Sequence, residues 1–197
     1  MTSREKILAA VQANQPDLTA LPDLSGFDGQ AFGSLAQFAE VLTAVGGKIF
    51  HVANYAAIIK IILAQYGSGV RIVTQLEELK KLTRDNLESL SQIHDLHDVE
   101  VAIIAARFGV AENGAVWITE EEMQHRVVPF IAQHLAVIIH EDAIVPTMHQ
   151  AYDRIANTTY NFGTFIAGPS KTADIEQSLV IGAHGPRSMT VFVLKNS

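Results

Sequence analysis

The sequence predicts an α/β fold of three layers, with helices on both faces of a mostly parallel sheet that includes some antiparallel strands. Strand-like and helix-like segments alternate along the chain without a long linker, a composition break or an internal repeat, the pattern of a single α/β unit. The run Leu135-Ala136-Val137-Ile138-Ile139 is near-continuously apolar, as expected of a strand covered on both faces. Helix-period segments begin at capping residues and stop at glycines, which marks their ends without tertiary information. The expected organisation is an N-terminal helix and arm over residues 1–33, then one domain over residues 34–197.

The elements follow in order. Thr2 or Ser3 caps a first helix whose apolar side includes Ile7, Leu8 and Val11. Residues 14–33, rich in Pro, Asp and Gly, read as a surface loop or arm. Ser34 opens a helix with Leu35, Phe38, Val41, Leu42 and Val45 at helical spacing, and Gly46-Gly47 stops it. Residues 48–52 form a strand; Asn54 caps a helix that turns Ile58, Ile59, Ile61 and Ile62 to the core and ends near Gly67. A strand over 69–74 and a short charged helix over 76–82 come next, and the polar stretch 84–98 has no clear period. From Val99 the pattern is β-rich, with a turn at Glu112-Asn113-Gly114. After the 135–139 strand, residues 143–145 add a short extension and Pro146 precedes a helix to about Asn157. The closing stretch 164–194 reads as strand, Gly-Pro-Ser-Lys-Thr loop, helix, His-Gly-Pro-Arg turn and strand.

Composition narrows the function. The 197 residues suffice for one domain with a large core. Hydrophobic residues make up 48% and charged ones 18%, and mean hydropathy is positive, a lean compatible with a homo-oligomer or a hetero-complex. The net charge of −7 and the lack of a basic cluster argue against nucleic acid. No apolar run approaches the ~20 residues that span a bilayer, and the charged N-terminus is unlike a signal peptide. The expected location is cytoplasmic. With no cysteine, the chain offers no thiolate to an iron–sulfur cluster or a zinc site. The eight histidines show no recognised metal spacing, so no metal site is expected.

Two segments carry candidate chemistry. Gly168-Pro169-Ser170-Lys171-Thr172 follows an apolar strand. If a helix starts there, its free amides and Lys171 suit a small anion, with Gly168 allowing close approach and Ser170 and Thr172 offering hydroxyls. Asp174 and Glu176 complicate this, because acidic residues suit a helix start but repel an anion. At the far end of that helix, His184 and Arg187 suit C-terminal capping first, and carboxylate binding or proton transfer second. The second segment is Glu112-Asn113-Gly114. A β-turn with a solvated Glu112 explains it; a carboxylate on a tight turn is also placed to act as nucleophile or base, should the turn line a pocket.

The stretch GPSKTADIEQSLVIGAHGPRSMTVFVL, residues 168–194, closely resembles the closing signature of the lactate-utilisation (LUD) domain family, in its protein C-type branch. Ala111-Glu112-Asn113-Gly114 before an apolar strand is a second match, with Asn113 a departure from the Thr-Gly that relatives often carry after the Glu. LAVIIHEDAIVP, residues 135–146, resembles the family's inner strand. The resemblance implies a NagB/RpiA/CoA-transferase-like fold, kinship with formyltetrahydrofolate cyclo-ligases, and a part in oxidising L-lactate to pyruvate beside iron–sulfur partner proteins. Glu112-Asn113-Gly114 also matches part of the Ser-Glu-Asn-Gly motif of class I CoA-transferases, where the Glu forms an acyl-CoA thioester. Here Ala111 replaces the Ser, and Trp117 stands where that motif prefers a small residue.

The leading expectation is a cluster-free component of L-lactate utilisation that binds a small anionic or nucleotide-type ligand. Its cleft would be formed by Glu112, Asn113 and Gly114 facing Gly168, Ser170, Lys171 and Thr172, with His184 and Arg187 as further ligand contacts. The alternatives are an independent enzyme of acyl, CoA or nucleotide chemistry using Glu112, and a structural partner that docks on the iron–sulfur proteins.

Overall fold

The central sheet has the order β1 (Lys48–Val52), β11 (Ser188–Leu194), β6 (His134–His140), β3 (Val101–Ala105) and β2 (Ile72–Thr74). All four of its pairings are parallel. In this computed structural model the residues described are 1–23, 25–26, 34–83, 87, 92–175 and 178–196; for 173–175 and 178 this means the backbone alone. Part of the 14–33 arm and part of the 84–98 stretch therefore lie outside the described residues.

The apolar run predicted as a two-sided strand is the middle of this sheet. β6 pairs with β11 from His134↔Ser188 to His140↔Leu194, and with β3 on its other edge. Its side chains alternate between two cores. Ala136 and Ile138 join Val101, Ile103 and Phe192 against Ile58 and Ile62 of α3 (Tyr55–Tyr66). Leu135, Val137 and Ile139 join Ala102, Ile104, Val191 and Val193 on the opposite face. There they meet Phe38 and Leu42 of α2 (Leu35–Ala44), together with Val116 and Ile118 of a second sheet. Each fully buried side chain of this size contributes about 1.5–3 kcal/mol.

The second sheet has the order β7 (Ile144–Val145), β4 (Phe108–Val110), β5 (Ala115–Thr119), β8 (Gly163–Ile166). The expected α/β fold and mostly parallel sheet are present, but the antiparallel strands form this sheet of their own. One face of the parallel sheet is therefore covered by a sheet and α2, the other by α3. A third small core, with Phe108, Val110 and Trp117 against Ala151 and Ile155 of α6 (Met148–Ala156), covers the outer side of the second sheet.

The caps agree with the sequence. Thr2 accepts from Glu5 N at the start of α1 (Ser3–Ala13), Ser34 from Gln37 N, and Asn54 from Ala57 N. No residue of α1 is buried, and Ile7, Leu8 and Val11 are exposed. Two short helices, α4 (Glu120–Met123) and α5 (Val128–Ile131), escaped the sequence reading because one turn is too short to show a period.

One expectation is overturned. No helix follows Lys171: β9 (Lys171–Ile175) and β10 (Ser178–Ile181) form an antiparallel hairpin, with Lys171↔Ile181 and Thr172↔Val180 in register. Thr172, Ile175, Val180 and Ile181 are β-branched, which favours the extended chain. Its base is clamped by hydrogen bonds from Ser170 N to the Pro186 carbonyl and from Gly182 N to the Ser170 carbonyl. Gly182 ends this hairpin at φ +78°, and a Cβ there would lie 2.5 Å from the Arg187 side chain.

Candidate functional site

The Glu112 turn joins β4 to β5 and rests on α2. Asn113 Oδ1 accepts from Ala115 N at 3.0 Å, and Gly114 N donates to the Val110 carbonyl at 2.9 Å. Gly114 has φ +67°, and a Cβ on it would stand 2.8 Å from the backbone N and Cα of Leu42. Only glycine gives this turn both its conformation and its approach to the helix. Glu112 N donates to the Pro146 carbonyl at 3.0 Å, and Glu112 Oε2 accepts from Met148 N at 2.7 Å. The carboxylate thus completes the N-terminus of α6 beside the N-cap Thr147. Glu112 remains exposed.

The Gly168 loop rests on the same helix. Gly168 has φ +71°, and a Cβ there would lie 2.7 Å from the Val45 carbonyl oxygen, at the C-terminus of α2. Lys171 Nζ donates to that same carbonyl, placing a cation where the helix dipole favours one. The β5–β8 pairing ends at Val116↔Ile166, two residues after Gly114 and two before Gly168. The two loops expected to face each other therefore leave the same end of one strand pair and bracket one helix end.

The rest of the corner assembles around the hairpin base. A Cβ on Gly185 would lie 3.1 Å from Cβ of Ser170, so the 168–170 and 182–186 loops are in close contact. Thr172 is partly exposed, while His184 and Arg187 are exposed. Arg187 N donates to the Gln133 carbonyl at 2.8 Å, immediately before β6 and β11 begin. The Gly168 loop leaves the C-terminal end of β8, yet the corner lies at the N-terminal edge of the parallel strands, whereas ligands of open α/β sheets gather at the C-terminal edge. Without a helix after Lys171, Ser170 and Thr172 are not N-caps, no fan of free amides is presented, and His184 and Arg187 do not cap a helix C-terminus. The side chains of Asp174 and Glu176 lie outside the described residues. What the corner offers is side-chain chemistry: Lys171, Arg187 and His184 as cation or proton donors, Ser170 and Thr172 as hydroxyls, and Glu112 as a carboxylate on the neighbouring turn.

Sequence reading passed over a polar chain at this same edge. His134 Nδ1 lies 2.7 Å from Ser188 Oγ, and its Nε2 lies 3.5 Å from Glu100 Oε1. The Tyr66 ring packs on the imidazole at 4.9 Å between centroids. The parallel register that sets Ser188 opposite His134 could have been found only from strand order. Burial lowers the His134 pKa, Arg187 and Lys48 add to that, and Glu100 opposes it. A lowered folded-state pKa means that the unfolded chain binds more protons just below the ordinary value of 6.5. Stability from this site is complete above pH 6.5 and declines as pH falls through it toward the folded-state pKa. Denaturant midpoints measured from pH 8 to 5 should show this decline, and His134→Gln should flatten it. An unchanged slope in the variant would remove His134 as its source.

The LUD domain family profile matches residues 35–194, which includes both loops, α2 and every strand. The chain belongs to the LUD domain family. Among LUD-type relatives it is similar to lactate utilization protein C of Anoxybacillus flavithermus, at 32% identity over 56% of this chain and 48% of that protein. It is also similar to lactate utilization protein C of Shouchella clausii, at 34% identity over 52% and 47%, and of Bacillus subtilis, at 34% over 48% and 42%. The matched region spans about half the length of these relatives. A crystal structure of a DUF162 family protein from Deinococcus radiodurans shares the LUD fold of this chain. That match has a TM-score of 0.58 and 18% identity, and covers 81% of this chain and 95% of that one. Among the described residues no helix is long and apolar enough to cross a membrane.

Proposed function

We propose that this chain is a cluster-free component of cytoplasmic L-lactate utilisation, working beside iron–sulfur proteins that take the electrons released as lactate becomes pyruvate. The observation that carries this reading is the family match over residues 35–194, joined to the similarity with lactate utilization protein C. The absence of cysteine supports a division of labour, because thiolate-held clusters must then sit on other chains. The polar corner is the ligand site of this reading. Ser170, Lys171, Thr172, His184 and Arg187 contact a small anionic or nucleotide-type group, and Gly168, Asn113 and Gly114 shape the backbone beside it.

Deleting the gene should abolish growth on L-lactate as sole carbon source, and the intact chain should restore it. Unimpaired growth of the deletion strain, with no second copy of the gene present, sinks the reading. Glu112 is the branch point toward the second reading, an acyl, CoA or nucleotide enzyme, which its exposed place on a tight turn favours. Glu112→Gln retains an oxygen able to accept from Met148 N, so under the leading reading it restores growth fully. Glu112→Ala removes the acceptor and should cost about 1 kcal/mol, as lost helix caps do, lowering Tm by about 2–4 °C. A folded Glu112→Gln protein that fails on lactate would transfer support to the enzymatic reading.

A further inference from the structure

A cavity of about 180 Å³ opens at the outer side of the second sheet, lined among others by Arg107, Phe108, Trp117, Arg154, Thr159 and Tyr160. Arg107 stands two residues past the end of β3 (Ala105). The cavity therefore adjoins the C-terminal edge of the parallel sheet, the edge where open α/β sheets bind ligands and the opposite one from the polar corner. It is smaller than the ~300–1,000 Å³ typical of sites for drug-sized ligands, so it fits a compact molecule and not a nucleotide or CoA.

Its walls are of two kinds. Phe108 and Trp117 are buried and stack with centroids 6.5 Å apart, and Tyr160 meets Trp117 edge-on at 5.3 Å. Against this apolar wall stand two guanidinium groups in different states. Arg107 is neutralised by Glu121 and by Glu122, whose Oε1 lies 2.6 Å from its Nε. Arg154 has no carboxylate partner among the described residues; it lies over the Phe108 ring, 4.9 Å from the centroid. Contact with a ring face holds a guanidinium in place without using its N–H donors. A planar cation with unspent donors matches the two oxygens of a carboxylate. Glu120 and Glu121 line an adjoining hollow with Tyr160, but Arg126 and Arg107 pair with them. Arg154 is therefore the one unpaired charge on the cavity wall among the described residues, which suits an anion of single charge.

We propose that this cavity is a binding site for a small monocarboxylate with a short carbon body. Arg154 takes the carboxylate and the Phe108–Trp117 wall takes the carbon end. The site is separate from the corner at residues 168–172 and stands or falls independently of the lactate reading.

Trp117 is the chain's only tryptophan and lines the cavity, so the emission has a single source in its wall. The full chain is titrated at constant ionic strength with acetate, pyruvate, L-lactate and inorganic phosphate. At least one carboxylate should change the emission saturably, with a millimolar Kd. Arg154→Gln should weaken that binding about tenfold or more, Arg154→Lys should weaken it less, and Lys60→Gln, an exposed charge change on α3, should leave it intact. The proposal is overturned if no carboxylate alters the emission, if Arg154→Gln binds like the parent, or if phosphate binds as tightly as the best carboxylate. Ligand binding at the corner would instead appear as a rise in Tm that Arg154→Gln leaves untouched, which separates failure here from failure of the functional reading.

Discussion

Phe38→Ala is expected to lower the unfolding free energy by about 3–5 kcal/mol, the range for losing a fully buried aromatic ring. Phe38 has no exposed surface and lies one turn before Leu42 on the buried stripe of α2. Its ring occupies space that a side chain at Gly109 of β4 would otherwise fill: a Cβ on Gly109 would lie 2.9 Å from it. The ring therefore belongs to the core between the two sheets, and rigid strands on both sides limit how far the void can collapse. At about 2–4 °C per kcal/mol for a chain of this length, Tm should fall by about 6–20 °C. Denaturant unfolding should show a lower midpoint at unchanged m, as a stability change without loss of compactness requires. Ile7→Ala, on a helix with no buried residue, should stay within about 0.5 kcal/mol. A Phe38→Ala loss as small as that of Ile7→Ala would mean that α2 does not join the sheets as described.

The parts of the fold legible in the sequence are those where local signals and burial agree. β6 could be read from its composition, because a strand at the centre of a parallel sheet needs apolar residues on both faces. α2 and α3 announced themselves through Ser34 and Asn54 at their N-caps and apolar stripes behind them, and α6 through Pro146 just before it. The 171–181 segment went the other way for a physical reason. Gly168-Pro169 before it and Gly182 after it look like helix boundaries, yet both glycines serve turns at positive φ. The hairpin is fixed at its base by hydrogen bonds between Ser170 and residues 182 and 186, pairings that residue type alone does not reveal. The β-branched residues Thr172, Ile175, Val180 and Ile181 favour the extended chain against that punctuation.

The candidate site divides along the same line. That Gly114 and Gly168 serve close approaches was foreseeable from residue type; that both approach α2, at Leu42 and Val45, depends on the β5–β8 register. Lys171 shows the limit of reading a charge by its neighbours, since its ammonium is directed to a carbonyl 126 residues earlier in the chain. Arg154 was invisible for the opposite reason. On sequence it is one more cation in the last turn of a helix, and only the Phe108 ring beneath it and the absence of a carboxylate partner among the described residues make it a candidate.

Gly114→Ala tests how the Glu112 turn is held, and the expected loss is about 2–5 kcal/mol. Two costs combine: about 1–2 kcal/mol for an L-residue in the left-handed region, and about 1–3 kcal/mol for atoms forced into a filled space. The second has a definite address, because the new methyl would meet the backbone of α2 at Leu42 and not the free end of a side chain. Gly114→Asn separates the two. Asparagine tolerates positive φ far better than alanine does, so Asn should be milder if the backbone angle dominates and as harmful or worse if contact with α2 does. The 2.8 Å approach favours contact. Gly69→Ala, where a Cβ would meet nothing within 4 Å, should leave Tm nearly unchanged. The turn can relieve the clash only by swinging off α2, and that motion draws Glu112 away from Met148 N. Stability losses from Gly114→Ala and Glu112→Ala should then be less than additive in a double-mutant cycle, by about 0.5 kcal/mol or more. Strict additivity would show that the turn holds its place and α2 gives way, leaving the Glu112 cap on α6 intact.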